Sequence, residues 1–228
     1  MKLAIIIPAY NEEKTILKVL KSLPKRIVGI DKIIVIVVDD GSTDRTAQIA
    51  EMNGATILRH AINLGLGGAL STGLAVARKI NIDIALTFDA DNQHSADDIN
   101  RMISPILKDK ADVTIGNRMA DRRNMPRIKI LANWLANFYT FLLFGLFVRD
   151  SQSGLRGFSK TALSKIKLSS TGYEVSSEII GEIKRNRLRL KEVTIKTQYS
   201  GYSEKKGQEF LNAFNIITKL FQIKLFNK

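Results

Sequence analysis

Up to about residue 115 the chain alternates between short, wholly apolar runs and longer stretches in which apolar positions recur every three or four residues. The runs Leu3–Ile7, Ile33–Val38, Ala55–Leu58, Ile84–Phe88 and Val113–Ile115 fit strands buried on both faces. Between them, a helix running to about Leu23 gathers Ile16, Val19, Leu20 and Leu23 on one face, and Gly67–Lys79 and Ala96–Leu107 carry the same helical spacing. A further helix is expected after Asp44, capped by Ser42 or Thr43. Strands alternating with amphipathic helices predict an α/β fold: a mainly parallel sheet flanked by helices, with ligands at the carboxyl ends of the strands.

Beyond Arg118 the pattern changes. Leu131–Val148 is almost continuously apolar and includes Trp134, Phe138, Tyr139, Phe141, Phe144 and Phe147. It falls short of the roughly 20 residues that span a bilayer and is broken by Asn133 and Asn137, which leaves a buried core helix or a helix lying at a membrane surface. The tail, Gln208–Lys228, is amphipathic. Phe210, Phe214, Ile217, Leu220 and Phe221 fall on one face, and Lys219, Lys224 and Lys228 supply a cationic flank, as expected of an interfacial helix. The chain therefore divides into one catalytic-sized domain, 1–207, and a basic amphipathic helix, 208–228.

Composition narrows the chemistry. The 228 residues contain no cysteine and two histidines, which excludes a disulfide framework, a thiolate metal site and a histidine-rich zinc site. The amino-terminal apolar run is too short for a signal-peptide core and ends at Pro8, so a cytoplasmic address is expected. A net charge of +13 points to anionic partners: nucleotide, or the anionic surface of a membrane. Aromatic residues are not interleaved with the basic cluster Arg118, Arg122, Arg123, Arg127 and Lys129, so nucleic acid is not expected as a partner.

The polar clusters sit at predicted strand ends. Asp89-Ala90-Asp91-Asn92-Gln93 places two carboxylates and an amide oxygen at alternate positions after the fourth strand. In an extended segment Asp89 and Asp91 project to the same side, where they can approach one hard cation such as Mg²⁺ or Mn²⁺ that substrate phosphate also ligates. The plainer alternative is capping of the next helix, for which Ser95 also serves. Pro8-Ala9-Tyr10-Asn11-Glu12 offers an aromatic ring and a carboxylate at the first strand end, and Asp39-Asp40-Gly41-Ser42 offers acceptors at the second. Asn63-Leu64-Gly65-Leu66-Gly67-Gly68-Ala69 lacks both the G-x-G-x-x-G spacing and a GK[ST] ending, so it is neither a dinucleotide fingerprint nor a P-loop. It is a flexible turn before a helix or a direct substrate contact.

Taken in order, Ile7-Pro8-Ala9-Tyr10-Asn11-Glu12, Val38-Asp39-Asp40-Gly41-Ser42-Thr43-Asp44, Asn63–Ala69, Asp89-Ala90-Asp91-Asn92-Gln93-His94 and Asp150-Ser151-Gln152-Ser153-Gly154-Leu155-Arg156 resemble the motif set of family 2 GT-A glycosyltransferases. Within that family the chain is most similar to dolichyl-phosphate (polyprenyl-phosphate) mannosyl- and glucosyltransferases. The resemblance implies a GT-A fold in which Pro8, Tyr10, Glu12 and Asp39 or Asp40 line the nucleotide of GDP-mannose or UDP-glucose. It implies that Asp89, Asp91 and Gln93 hold Mg²⁺ or Mn²⁺ at the diphosphate, and that Arg118 approaches a phosphate of donor or acceptor. Asp150, Gln152 and Arg156 would meet the transferred sugar and the acceptor. Lys205 or Lys206 would belong to the mobile serine-lysine loop, although Glu204 separates them from Ser203.

The activity so implied is inverting transfer of a hexose to a polyprenyl or dolichyl phosphate by an enzyme peripheral to the cytoplasmic membrane face, held by its tail or by a membrane-protein partner. A lipid phosphate is already anionic and needs no general base, whereas a saccharide hydroxyl would need one, with Asp150 the candidate. A non-catalytic nucleotide-sugar-binding subunit is the remaining alternative.

Overall fold

A computed structural model describes residues 1–120, 125 and 127–196. Arg122, Arg123, Lys205, Lys206 and the 208–228 segment lie outside the described residues. Strands β1 (Lys2–Ala9), β2 (Lys32–Asp39), β3 (Thr56–Arg59), β4 (Ile84–Thr87), β5 (Val113–Asn117), β6 (Arg156–Ser159) and β7 (Leu190–Thr194) form one sheet in the order β3-β2-β1-β4-β6-β5-β7. Its helices are α1 (Ile16–Ser22), α2 (Thr46–Met52), α3 (Gly65–Lys79), α4 (Asp98–Leu107), α5 (Arg127–Phe144), α6 (Lys160–Lys165) and α7 (Val175–Arg185).

The apolar runs became the central strands because each must be buried on both sides. Along β1, Leu3, Ile5 and Ile7 pack with Ile16 and Val19 of α1 and Ile99 and Met102 of α4. Ala4 and Ile6 turn to the other face, against Leu70 and Leu74 of α3 and Val175 and Ile179 of α7. Strands β1, β2, β3 and β4 are mutually parallel, which brings the ends of β1, β2 and β4 to one rim. Strand β6 is antiparallel to both β4 and β5. Its sequence, Arg-Gly-Phe-Ser, has no apolar run, and it fits between its neighbours because Gly157 leaves room for Thr114, whose Oγ1 would lie 2.4 Å from a Cβ there.

Helix starts differ from the sequence expectation in one respect. Neither Ser42 nor Thr43 caps α2: Asp44 Oδ1 accepts from Thr46 N at 2.9 Å, while Ser42 Oγ accepts from Asn11 N at 2.9 Å. Ser95 does take part before α4, accepting from Asp97 N at 3.3 Å.

Helix α5 answers the alternative posed by its composition in an unexpected way. Its buried side chains include the polar ones, Asn133, Asn137 and Thr140, whereas Trp134, Phe138, Phe141 and Leu142 stand outward, with Trp134 58 % exposed and stacked on Phe138. The exposed aromatic face rules out a simple core helix. Among the described residues no helix is long and apolar enough to cross a membrane.

Candidate active site

The ends of β1 and β2 are sewn together by their own loops. Register pairs Ala9 with Asp39, so Tyr10 and Asp40 leave the sheet at the same level. Asn11, in the left-handed region at φ 53°, accepts from Thr43 N at 2.9 Å through Oδ1; Glu12 N donates to Thr46 Oγ1 at 2.7 Å, and Glu13 N to Asp44 Oδ2 at 3.1 Å. These links fix an exposed Tyr10 ring beside a buried Asp39. Asp39 Oδ1 accepts from Ser42 N, whereas Oδ2 has no hydrogen bond among the described residues; Arg59 Nε lies 3.2 Å from Oδ2 as an ionic neighbour outside hydrogen-bonding geometry. That oxygen is itself buried against Arg59, so Asp39 holds that guanidinium at the end of β2.

Asp40 has a different part. Its Oδ1 accepts from Leu64 N at 2.9 Å and meets His60 Nδ1 at 2.7 Å, and its Oδ2 accepts from Gly65 N at 2.8 Å. Asp40 therefore caps the start of α3, where negative charge is favourable. The glycine-rich loop is correspondingly neither a free turn nor an open contact surface. Gly67 N and Gly68 N donate to Thr171 O at 2.7 and 3.3 Å. A Cβ at Gly67 would lie 2.1 Å from Ser170 O and 2.7 Å from Ser170 C, both backbone atoms that cannot rotate away. Gly67→Ala is therefore expected to destabilise the fold by about 2–3 kcal/mol, seen as a lowered urea midpoint with unchanged slope.

After β4 the chain does not stay extended. Asp91 lies in a turn that includes Asn92 at φ 62°, so alternation along a strand is not what unites the two carboxylates. The turn nevertheless brings them within electrostatic reach. Asp91 is pushed up to about 6 by burial first and by the Asp89 charge second, with Glu12 adding to the effect. Burial opposes ionisation of Asp89 as well, but His94 and the guanidinium groups of Arg118 and Arg156 outweigh it and hold that carboxyl below its usual value. His94 Nε2 meets Asp89 Oδ2 at 2.7 Å, and Gln93 orients Asp91 through its backbone N at 3.0 Å and its Nε2 at 2.6 Å.

Repulsion between neighbouring carboxylates is what a divalent cation relieves, and Gln93 Oε1 would complete an all-oxygen set with them. Among the described residues no cluster of three histidine, cysteine, aspartate or glutamate side chains cages a metal. The donor set thus fits Mg²⁺ or Mn²⁺ with its other ligands drawn from substrate phosphate and water, the usual arrangement for such ions.

The 150–156 segment closes the opposite side. Asp150 is wholly buried; its Oδ2 accepts from Arg118 N and Nε at 2.9 and 2.8 Å, and its Oδ1 from Arg118 Nη2 and Asn133 Nδ2 at 2.8 and 2.9 Å. Burial raises its pKa, but the Arg118 charge and these bonds win and keep it ionised below the usual range. Gln152 is half-buried, its Nε2 3.2 Å from Ser151 Oγ. Arg156 is not at the surface: it is 1 % exposed, donates from Nη2 to Ser151 O at 2.9 Å, and has its pKa lowered to about 10 by burial against the opposing pull of Asp89 and Asp150. It lies under the site as a fixed positive charge. Gly154 meets Asp89 directly, since a Cβ there would fall 2.2 Å from Asp89 Oδ1.

Residues 4–167, which carry this rim and most of the sheet, match the family model for glycosyl transferase family 2. The chain belongs to glycosyl transferase family 2. It is 40 % identical over 243 residues to the UDP-N-acetylglucosamine–dolichyl-phosphate N-acetylglucosaminyltransferase of Methanococcus voltae, covering 97 % of this chain and 95 % of that one. It is 27 % identical over 237 residues to the polyprenol monophosphomannose synthase of Mycolicibacterium smegmatis, covering 96 % and 84 %. The glucosyl-3-phosphoglycerate synthase of Mycobacterium tuberculosis, solved with Mn²⁺ and UDP-glucose, shares the fold at a TM-score of 0.70 and 21 % identity, over 96 % of this chain and 76 % of that one.

The structure brings Glu12, Asp89, Asp91, Arg118, Asp150 and Arg156 within electrostatic reach of one another, with Gln93 bonded to Asp91, and sets Pro8, Tyr10, Asp39 and Asp40 at the adjoining ends of β1 and β2. Gln152 instead bonds Ser151 and Ser177. Sequence reasoning gave no part to His94, Gly154, His60 or Asn133. The first two stood inside recognised motifs, where a buried neighbour for Asp89 was the missing inference. The last two depend on contacts across 20 and 17 residues that spacing does not reveal.

Proposed function

We propose that this transferase moves a sugar from a nucleotide diphosphate sugar onto the phosphate of a polyprenyl or dolichyl lipid, with inversion at the anomeric carbon. The observation that carries the proposal is Asp150. The candidate base for a hydroxyl acceptor is ionised but saturated by four donors from Arg118 and Asn133, with no exposed surface from which to take a proton. An acceptor that is already anionic needs no such step. Both named relatives carry a dolichyl or polyprenol acceptor in their names.

Residue roles follow. The Tyr10 ring flanks the base, and Pro8, Glu12 and Asp39 with its partner Arg59 shape the wall beside it. Asp89, Asp91 and Gln93 hold Mg²⁺ or Mn²⁺, which neutralises charge developing on the departing diphosphate. Arg118, fixed by Asp150, keeps its orientation toward the phosphates without reorganising, which is the condition for electrostatic stabilisation in a dry site. Gln152 faces the acceptor. Lys205 and Lys206 are assigned to the same cationic task from sequence alone. The outward aromatic face of α5 and the +13 net charge favour peripheral binding at the cytoplasmic face of a membrane, where the lipid acceptor resides.

Sequence resemblance points to GDP-mannose or UDP-glucose as donor, and the Methanococcus relative adds UDP-N-acetylglucosamine. The three donors are to be incubated separately with Mg²⁺ or Mn²⁺ and a short polyprenyl phosphate, with label counted after organic extraction. Lipid-extractable label from one donor is the expected result. Label that stays in water on a saccharide would overturn the acceptor, and donor binding without consumption would overturn catalysis.

A further inference from the structure

Helix α5 is built inside out, and its two inward amides, Asn133 and Asn137, serve one segment, while the inward Thr140 bonds Ser177 of α7. Asn137 acts at both ends of its amide: Nδ2 donates to Arg149 O at 2.6 Å, and Oδ1 accepts from Ser151 N at 2.9 Å and Ser151 Oγ at 2.7 Å. One turn earlier, Asn133 donates to Asp150 Oδ1. Three consecutive residues, 149–151, are therefore held from a single helix face, and Ser151 O passes the restraint on to Arg156.

Core packing alone does not call for asparagine at these positions. Each amide is buried, at 6 and 7 % exposure, and burying an amide costs several kcal/mol unless its hydrogen bonds are replaced, so leucine would serve a purely structural interface better. Asn133 Oδ1 has no partner among the described residues; the amide is turned by Asp150 alone, because only its nitrogen can face a carboxylate. Segment 149–155 has no regular secondary structure of its own to set its position.

We infer that Asn133 and Asn137 are positioning residues that lock the acceptor-facing segment 149–152 to the helix whose outer face rests on lipid, fixing the depth of Asp150, Arg118 and Gln152 relative to the bilayer surface. This inference rests on the function proposed above. It makes α5 the ruler between the lipid surface and the site, with aromatic groups on one side and amides on the other.

The test uses the full chain, the donor that labels lipid, and polyprenyl phosphate in phosphatidylcholine–phosphatidylglycerol vesicles. Asn133→Leu and Asn137→Leu are each expected to lower kcat on the order of 10²-fold, the effect of misplacing a reacting group by about an ångström, while KM for the nucleotide sugar stays within about twofold. Trp134 is the sole tryptophan of the chain and reports docking independently of turnover. The wild type is expected to shift to the blue on vesicles, and both variants should keep that shift. Thr140→Val, which removes an equally buried hydrogen bond to Ser177 from the same face, should keep kcat within about threefold. Asparagine variants that lose stability but turn over like Thr140→Val would overturn the inference, as would variants whose KM for donor rises in step with the loss of kcat, or whose Trp134 shift disappears. A wild type that labels no lipid phosphate would instead sink the proposed function itself.

Discussion

Asp91→Asn is expected to lower sugar transfer on the order of 10³-fold while raising the melting temperature of the metal-free protein. Both effects have one cause. In an unfolded chain Asp91 ionises near 3.8, whereas in the fold burial and the neighbouring Asp89 charge move it to about 6. Between those values the folded state binds the proton more tightly, so stability declines as pH rises, and above about 6 the penalty is complete. With solvent screening at a partly exposed turn, it amounts to on the order of 1–2 kcal/mol. Asparagine keeps the shape and removes the charge. The variant should therefore melt a few degrees above wild type at pH 7.5 without metal and match it near pH 4. Mn²⁺ should stabilise the wild type and leave the variant unmoved, because only the wild type gains from binding the ion. Differential scanning fluorimetry over this pH range, with and without Mn²⁺, checks all of this. A variant that still turns over donor in a metal-dependent way would remove Asp91 from the metal site.

Gly154→Ala is expected to be nearly as damaging to activity with little harm to the fold. The added methyl would lie 2.2 and 2.3 Å from the two Asp89 oxygens, closer than any real contact. What gives way is the far end of a side chain rather than backbone, so the substitution should cost no more than about 1–2 kcal/mol. Asp89 must rotate, however, and in doing so it leaves His94 and the position from which it would share a cation with Asp91. A displacement of that size is worth about 10²-fold or more in turnover. Intact far-ultraviolet circular dichroism with a weakened Mn²⁺ titration and lost transfer is the predicted combination. Retained activity would show that the Asp89 carboxylate has freedom the site does not need.

How much of this was legible in the sequence varies with the distance over which each feature is decided. The parallel strands β1, β2, β4 and β5 and the helices between them were predicted because continuous apolar runs and helical spacing are local signals. Strand β6 was not, because four residues reading Arg-Gly-Phe-Ser become a strand only through the neighbours they fit between. The motif residues were found at their strand ends, but their division of labour was not. Asp39 and Asp40 are adjacent and chemically identical, yet one pairs with Arg59 while the other caps α3. The glycines of 65–68 were noticed for flexibility, whereas the fold uses their lack of a side chain to seat residues 170–171. In α5 the two asparagines counted against a membrane span. Which way they point was hidden, because composition places apolar groups inside by default and this helix reverses the rule.

The antiparallel β6 has one more consequence. Groups we assign to the nucleotide and the metal come from residues 8–93, and those we assign to the phosphates and the acceptor from 118–152, two consecutive stretches of chain. They meet at the pairing of β4 with β6 and at the contact of Asp89 with Gly154. The two stretches are joined electrically as well, because Arg118 and Arg156 of the later one hold the Asp89 carboxyl of the earlier one below its usual value, so an acceptor can be exchanged only by changes that keep those two charges and the seam.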